Sequence, residues 1–229
     1  MLINEYFGPT IQGEGVHAGQ RVGFIRLADC NLACSWCDTP YSWDWERFDK
    51  TVERRDVSVL ELTEIIRSWK VKRVIITGGE PLIQQPGLIE LFRLNADINF
   101  DIETNGTIAP KEELAAWTDM FCVSPKLAHS GDIEKKRLKQ ASLEAFSNLA
   151  YESIAFFKFV IEKLEDLDEV DSIVKEYAID KTAVWIMFEG KDAQTQLERM
   201  RTLSEGVIAR GYNISPRLHV LTWDTKRGV

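Results

Sequence analysis

Short runs of apolar, β-branched and aromatic residues alternate along the chain with longer stretches in which apolar positions recur every three or four residues. The short runs, at 22–29, 73–77, 98–103, 120–124, 154–161 and 183–188, predict six strands. Most are apolar at successive positions, the pattern of strands buried on both faces. The longer stretches predict helices over 58–70, 85–94, 111–117, 134–150, 164–177 and 193–210, followed by an apolar tail at 218–223. The first helix carries its own start signal, with Ser58 as N-cap, Glu61 three residues on, and Leu62, Ile65, Ile66 and Trp69 along one face. Residues 1–21 hold Gly8, Pro9, Gly13, Gly15 and Gly19, too many turn formers for a helix, and predict a hairpin or loop.

Strands alternating with helices imply an α/β fold on a parallel sheet with right-handed crossovers. In such folds chemistry collects at the carboxyl ends of the strands. Polar motifs stand there repeatedly: Thr77-Gly78-Gly79-Glu80-Pro81, then Glu103-Thr104-Asn105-Gly106, then Ser124-Pro125-Lys126. Each alone reads as an ordinary strand-to-helix turn. Three at successive strand ends, downstream of a cysteine-rich loop at the first, read as parts of one site.

Length and composition add limits. A chain of 229 residues, 45% hydrophobic, can bury one sizeable core, and one domain is the default. The net charge of −8 argues against a broad electrostatic grip on nucleic acid, so the partner is expected to be a small molecule. No apolar run reaches membrane length, and the first residues lack a basic region followed by an apolar core, so a cytoplasmic setting is expected.

Three of the four cysteines lie in Cys30-Asn31-Leu32-Ala33-Cys34-Ser35-Trp36-Cys37-Asp38-Thr39, directly after the first strand. Thiolates are soft ligands for zinc, copper(I) or iron–sulfur clusters. On a four-iron cluster, three of them leave one iron open to a small molecule. Zinc would want a fourth ligand nearby, yet His17 is well upstream and Cys122 belongs to another strand. Zinc and reactive thiols stay as alternatives.

The spacing Cys-x3-Cys-x2-Cys, with the aromatic Trp36 before the third cysteine, resembles the radical SAM (S-adenosylmethionine) superfamily. The early run Gly8-Pro9-Thr10-Ile11-Gln12-Gly13-Glu14-Gly15 and the continuation Cys37-Asp38-Thr39 are similar, within it, to the 7-carboxy-7-deazaguanine synthase family, over essentially the whole chain. The resemblance implies a partial (β/α)6 barrel in one domain, 1–229, with an N-terminal pocket segment at 1–21, a barrel core at 22–190 and a C-terminal helix and tail at 191–229.

The resemblance also implies a [4Fe-4S] cluster on Cys30, Cys34 and Cys37. S-adenosylmethionine would lie near Trp36, Cys37 and Asp38, although Asp38 could equally cap a turn. Gly78, Gly79 and Glu80 would take its ammonium and backbone-facing groups, and Glu103, Thr104 and Asn105 its ribose. Ser124 and Lys126 would meet a carboxylate or hydroxyl. Thr39 would ligate Mg2+. A pterin substrate would be held by Ile11, Gln12, Gly13, Glu14, Arg26, Thr77 and His219. Arg26, flanked by Ile25 and Leu27, is expected to point into the lumen and pair with the substrate carboxylate.

The implied reaction is ring contraction of 6-carboxy-5,6,7,8-tetrahydropterin with loss of ammonia. A flavodoxin or ferredoxin-type protein would donate the electron, and the enzyme would be a homodimer. The rivals are a glycyl-radical activating enzyme and a non-catalytic zinc-binding module. Cys122 reads as a buried small hydrophobe, and His17 and His129 as loop residues without identifiable partners. Trp43, Trp45 and Phe48 are core, partner surface or pocket lid.

Overall fold

A computed structural model describes all 229 residues. Its strands are β1 (Leu2–Ile11), β2 (Arg21–Leu27), β3 (Arg55–Asp56), β4 (Arg73–Gly78), β5 (Asn99–Thr104), β6 (Met120–Val123), β7 (Ala155–Ile161), β8 (Val184–Phe188) and β9 (Asn213–Ser215). They form one sheet in the order β3-β1-β2-β4-β5-β6-β7-β8-β9, parallel from β2 to β9. The six expected strands are β2 and β4 to β8, the staves of a partial barrel. The helices are α1 (Lys50–Glu53), α2 (Val59–Trp69), α3 (Gln85–Leu94), α4 (Glu112–Ala115), α5 (Glu134–Arg137), α6 (Gln140–Tyr151), α7 (Asp166–Glu176), α8 (Ala193–Ala209) and α9 (Leu218–Trp223).

The N-terminal segment resolves to the hairpin alternative, since β1 pairs antiparallel with β2. Gly8 and Pro9 fall where the register slips between Phe7 and Thr10, because proline has no N–H to give a ladder. The helix expected over 134–150 is broken between α5 and α6. Leu138 is extended there (φ −114°, ψ 121°), and the buried Arg137 turns inward to bond the Lys126 carbonyl at 2.7 Å and Glu169 at 2.7 Å.

At α2 the Ser58 hydroxyl accepts from the Glu61 amide at 3.1 Å, and Leu62, Ile66 and Trp69 are buried. The cap is worth about 1 kcal/mol and each buried side chain roughly 1.5–3 kcal/mol, so packing on the sheet, not the cap, holds this helix. A core of 40 buried residues lies between sheet and helices, with Phe92 of α3 stacked on Phe100 of β5 at 4.0 Å. Side chains alternate along each strand, so Ile25 and Leu27 enter this core while Phe24 and Arg26 face the lumen. No helix is long and apolar enough to cross a membrane.

Candidate active site

The lumen and the carboxyl ends of the strands line a cavity of about 420 Å³. Phe7 and Phe24 stack at 5.2 Å along its wall, and Arg26, Thr77, Glu103, Cys122, Lys158 and Met187 project into it from successive strands. A lower layer closes the lumen. There Asp101, on the same face of β5 as Glu103, accepts from Arg73 and lies 2.7 Å from His17 Nδ1. His17 therefore has a partner that sequence reading did not identify.

Cys30, Cys34 and Cys37 are free thiols, partly exposed, and all three line the cavity. Their loop is pinned from behind. The Gly79 amide donates to the Leu27 carbonyl at 3.0 Å and the Glu80 amide to the Asp29 carbonyl at 2.9 Å. A Cβ on Gly79 would stand 2.0 Å from the Asp29 carbonyl oxygen, and one on Gly78, at φ +133°, 2.2 Å from that of Leu27. The two glycines are thus required by the approach of the cysteine loop, and both line the cavity. From the next strand end, Asn105 Nδ2 donates to Asn31 Oδ1 at 2.9 Å, and Asn31 Nδ2 to Thr107 Oγ1 at 2.7 Å.

The thiols suit a cluster. Donors point at two of the sulfurs: the Leu32 amide lies 3.5 Å from Cys30 Sγ and the Trp43 indole Nε1 lies 3.4 Å from Cys37 Sγ. Such donors stabilise the thiolate form that ligates iron. Trp43, Trp45 and Phe48 accordingly pack around this loop, Trp45 donating to Asp29 at 3.0 Å and Phe48 lying edge-on to Tyr41.

Several expected ligand contacts are redirected. Glu80 is fully buried and does not reach the cavity; its carboxylate accepts from Thr104 Oγ1 at 2.8 Å and from the amides of Leu82 and Asn105 at 2.9 and 2.7 Å. Burial pushes this carboxyl up, opposed by the three donors. In this arrangement it ties one strand end to the next. Gly13 also stays off the cavity wall, because a Cβ there would meet His219 Nδ1 at 1.9 Å. Asp38 lines the cavity, but its carboxylate is paired with Arg217 and does not cap a turn.

The other expected site residues line the cavity together: Ile11, Gln12, Glu14, Arg26, Trp36, Thr39, Thr77, Glu103, Thr104, Asn105, Ser124, Lys126 and His219. Gln12 Nε2 and Thr77 Oγ1 both donate to Glu103, at 3.2 and 2.8 Å, so two residues expected on the pterin and one expected on the ribose form a single cluster. Lys126 donates to Ser124 at 3.1 Å and lies over the Trp36 ring, whose other neighbour is the stacked His129. The Thr39 hydroxyl makes no cap bond to the helical turn that follows it.

Other contributors, the Phe7 and Phe24 pair among them, were not found from sequence. Lys158 is the one charge in the otherwise apolar β7 and is bonded to Glu14. That lone lysine was the available signal. Arg217 donates to Glu14 at 3.0 Å, and the tail at 224–229 forms part of the cavity wall. Burial alone would raise the Glu14 carboxyl, but Lys158, Arg217 and His219 outweigh it and hold it well below the usual carboxylate range. Burial lowers His219, with Glu14 opposing. Cys122 is buried as expected, though on the lumen side, and burial pushes its thiol up to about 12.

Residues 25–145 match the radical SAM superfamily model. The 7-carboxy-7-deazaguanine synthase of Pyrobaculum aerophilum is 35% identical over 96% of this chain and 93% of that protein. This chain belongs to the 7-carboxy-7-deazaguanine synthase family. The synthase of Rhodopirellula baltica is 34% identical over 100% of this chain and 88% of its own length. The crystal structure of QueE from Escherichia coli superposes with a TM-score of 0.70 at 27% identity, covering 93% of this chain and 92% of that one. Membership makes the chain an enzyme, a lyase, and implies S-adenosylmethionine and a [4Fe-4S] cluster. The three thiols on one cavity wall, with donors aimed at two of them, fit that cluster.

Proposed function

We propose that this chain converts 6-carboxy-5,6,7,8-tetrahydropterin to 7-carboxy-7-deazaguanine with loss of ammonia, dependent on Mg2+. When bound, the cluster on Cys30, Cys34 and Cys37 together with S-adenosylmethionine would supply the radical chemistry. The observation that carries the reading is that the cysteine loop shares one cavity with Gln12, Arg26, Thr39 and the stacked Phe7 and Phe24.

Within that cavity the chain's own groups divide the work. Cys30, Cys34 and Cys37 hold the cluster, with Gly78, Gly79, Trp36, Ser124 and Lys126 around S-adenosylmethionine. Arg26 uses Nε on Glu5, at 2.8 Å, and has its terminal nitrogens left for the pterin carboxylate. The Thr39 hydroxyl caps no turn and has the Cys37 sulfur beside it at 3.7 Å, which leaves its oxygen for Mg2+. Gln12, Thr77 and Glu103 present a fixed donor and acceptor edge to the heterocycle, and the phenylalanine pair a flat apolar wall. Lys158 and Arg217 keep Glu14 ionised.

The reading carries with it a flavodoxin or ferredoxin-type electron donor, a cytoplasmic setting, a homodimeric assembly and a place in queuosine-type deazapurine synthesis. Anaerobic turnover of the carboxylated pterin with S-adenosylmethionine and a reductant, followed by mass spectrometry, tests it. Formation of the deazaguanine acid is expected. S-adenosylmethionine cleavage with the pterin returned unchanged would refute it.

A further inference from the structure

Residues 224–229 all line the cavity although five of the six are exposed to solvent, so they form its outer wall. They follow β9 and α9, at one end of the sheet order, yet they reach the residues of β1 near the other end. They therefore cross the side on which the partial barrel is open. No backbone hydrogen bond ties 227–229 to the rest of the chain.

Asp224 accepts from the Ala193 amide at 3.2 Å at its start, and one side chain, Arg227, holds its far end in place. Arg227 Nε donates to Glu5 Oε2 at 2.8 Å, and Nη1 and Nη2 donate to the two oxygens of Glu53 at 3.1 and 2.7 Å. The guanidinium lies 3.8 Å from the centre of the Tyr41 ring. Glu5 uses its other oxygen, Oε1, to accept from Arg26 Nε at 2.8 Å and from the Tyr41 hydroxyl at 3.3 Å. Two arginines thus share one carboxylate, one of them on the tail and the other in the lumen.

We propose that Arg227 is a positioning residue, strapping the tail across the open side of the barrel and, through Glu5, setting Arg26 against the carboxylate of the pterin. The second half rests on the reading of Arg26 given above. Without Arg227, Glu5 turns its whole charge on Arg26 and Glu53 keeps only the bond from Asn4 Nδ2 at 3.1 Å, so Arg26 is drawn off the cavity. The Arg227 side chain is 42% exposed. Clamps of that exposure are weak, which suits a wall segment that must open to admit a substrate and close over it.

The test compares wild type with Arg227→Ala, Arg227→Lys and Glu53→Gln. The strap is read without substrate, as the rate at which a lysine-specific protease cleaves the intact chain after Lys226. That rate follows the population in which the tail has left the wall. Loss of the clamp is expected to raise it about three- to fivefold in Arg227→Ala; Arg227→Lys, which adds a cleavage site of its own, is read only on the reconstituted enzyme. The positioning role is read on the reconstituted enzyme, where Arg227→Ala should raise KM for the pterin about tenfold, with kcat and S-adenosylmethionine affinity changed much less. Glu53→Gln should loosen the tail with a smaller rise in KM, since Glu5 still links the two arginines. Equal cleavage of wild type and Arg227→Ala overturns the strap, and a freed tail with unchanged KM overturns the coupling to Arg26. If wild type fails to turn over the pterin, the functional reading fails, while the cleavage rates still decide the strap.

Discussion

Glu14 and Arg217, 203 positions apart, meet in a partly buried hydrogen bond of 3.0 Å that joins the segment after β1 to the segment after β9. The sheet has no ladder between those strands, and the two segments are joined by such side-chain bonds together with the Leu218 amide donating to the Gly13 carbonyl at 2.9 Å and the Gly15 amide to Ser215 Oγ at 2.8 Å. Arg217 also holds Asp38 and the Gly190 carbonyl, and Lys158 completes the pairing of Glu14. Arg217→Ala should therefore cost about 1–3 kcal/mol, because it leaves the half-exposed Asp38 without its partner and Glu14 with Lys158 alone. Urea denaturation checks this, and a loss below about 1 kcal/mol would show that the pairing does not hold the two segments together.

Acid sensitivity follows from the same network. The folded Glu14 and Asp38 carboxyls both lie below their ordinary values, 4.5 and 3.8. On acidification through that range the unfolded chain takes up protons before the folded chain does. The stabilisation present at neutral pH is therefore lost as pH falls. Denaturation midpoints should be nearly flat from pH 7 to about pH 5 and then fall from about pH 4.5 towards pH 3, more steeply for wild type than for Glu14→Gln. Identical slopes would remove Glu14 from the explanation.

Glu80→Gln replaces one of two acceptor oxygens with a donor, facing the donors of Leu82, Thr104 and Asn105. The cofactor-free protein should lose about 1–3 kcal/mol. A group that only met S-adenosylmethionine would leave that stability unchanged, so thermal unfolding without ligand separates the two roles.

Cys34→Ala should abolish the iron content and visible absorption of the reconstituted protein, since each of the three thiolates holds an iron. Cys122→Ser should keep its iron at a cost of about 1–3 kcal/mol for burying a hydroxyl. Full iron loading in Cys34→Ala would refute the ligand assignment.

Thr39→Ala removes the hydroxyl assigned to Mg2+. Turnover should fall and lose most of its magnesium response, while S-adenosylmethionine cleavage without pterin changes little and Thr39→Ser lies between. Parallel magnesium titrations for wild type and Thr39→Ala would exclude the role.

The cysteine loop, the motifs at the strand ends and the six parallel strands were legible in the sequence because each is local. Three thiols within eight residues can face one centre whatever surrounds them, and alternating strand and helix patterns leave few topologies open. Other features depended on contacts between distant segments. Lys158 sits in a strand buried on both faces, where hydrophobic periodicity does not say which side is lumen. The pairing of Gly13 with His219, of Asp38 with Arg217 and of Arg227 with Glu5 joins the first residues to the last. No spacing rule reaches that far, because those partners become neighbours only when the sheet curls and brings its two ends together. The same curling decided the part played by Glu80. An acid after two glycines can face a ligand or brace a turn, and the neighbouring strand end supplied the donors that made it a brace.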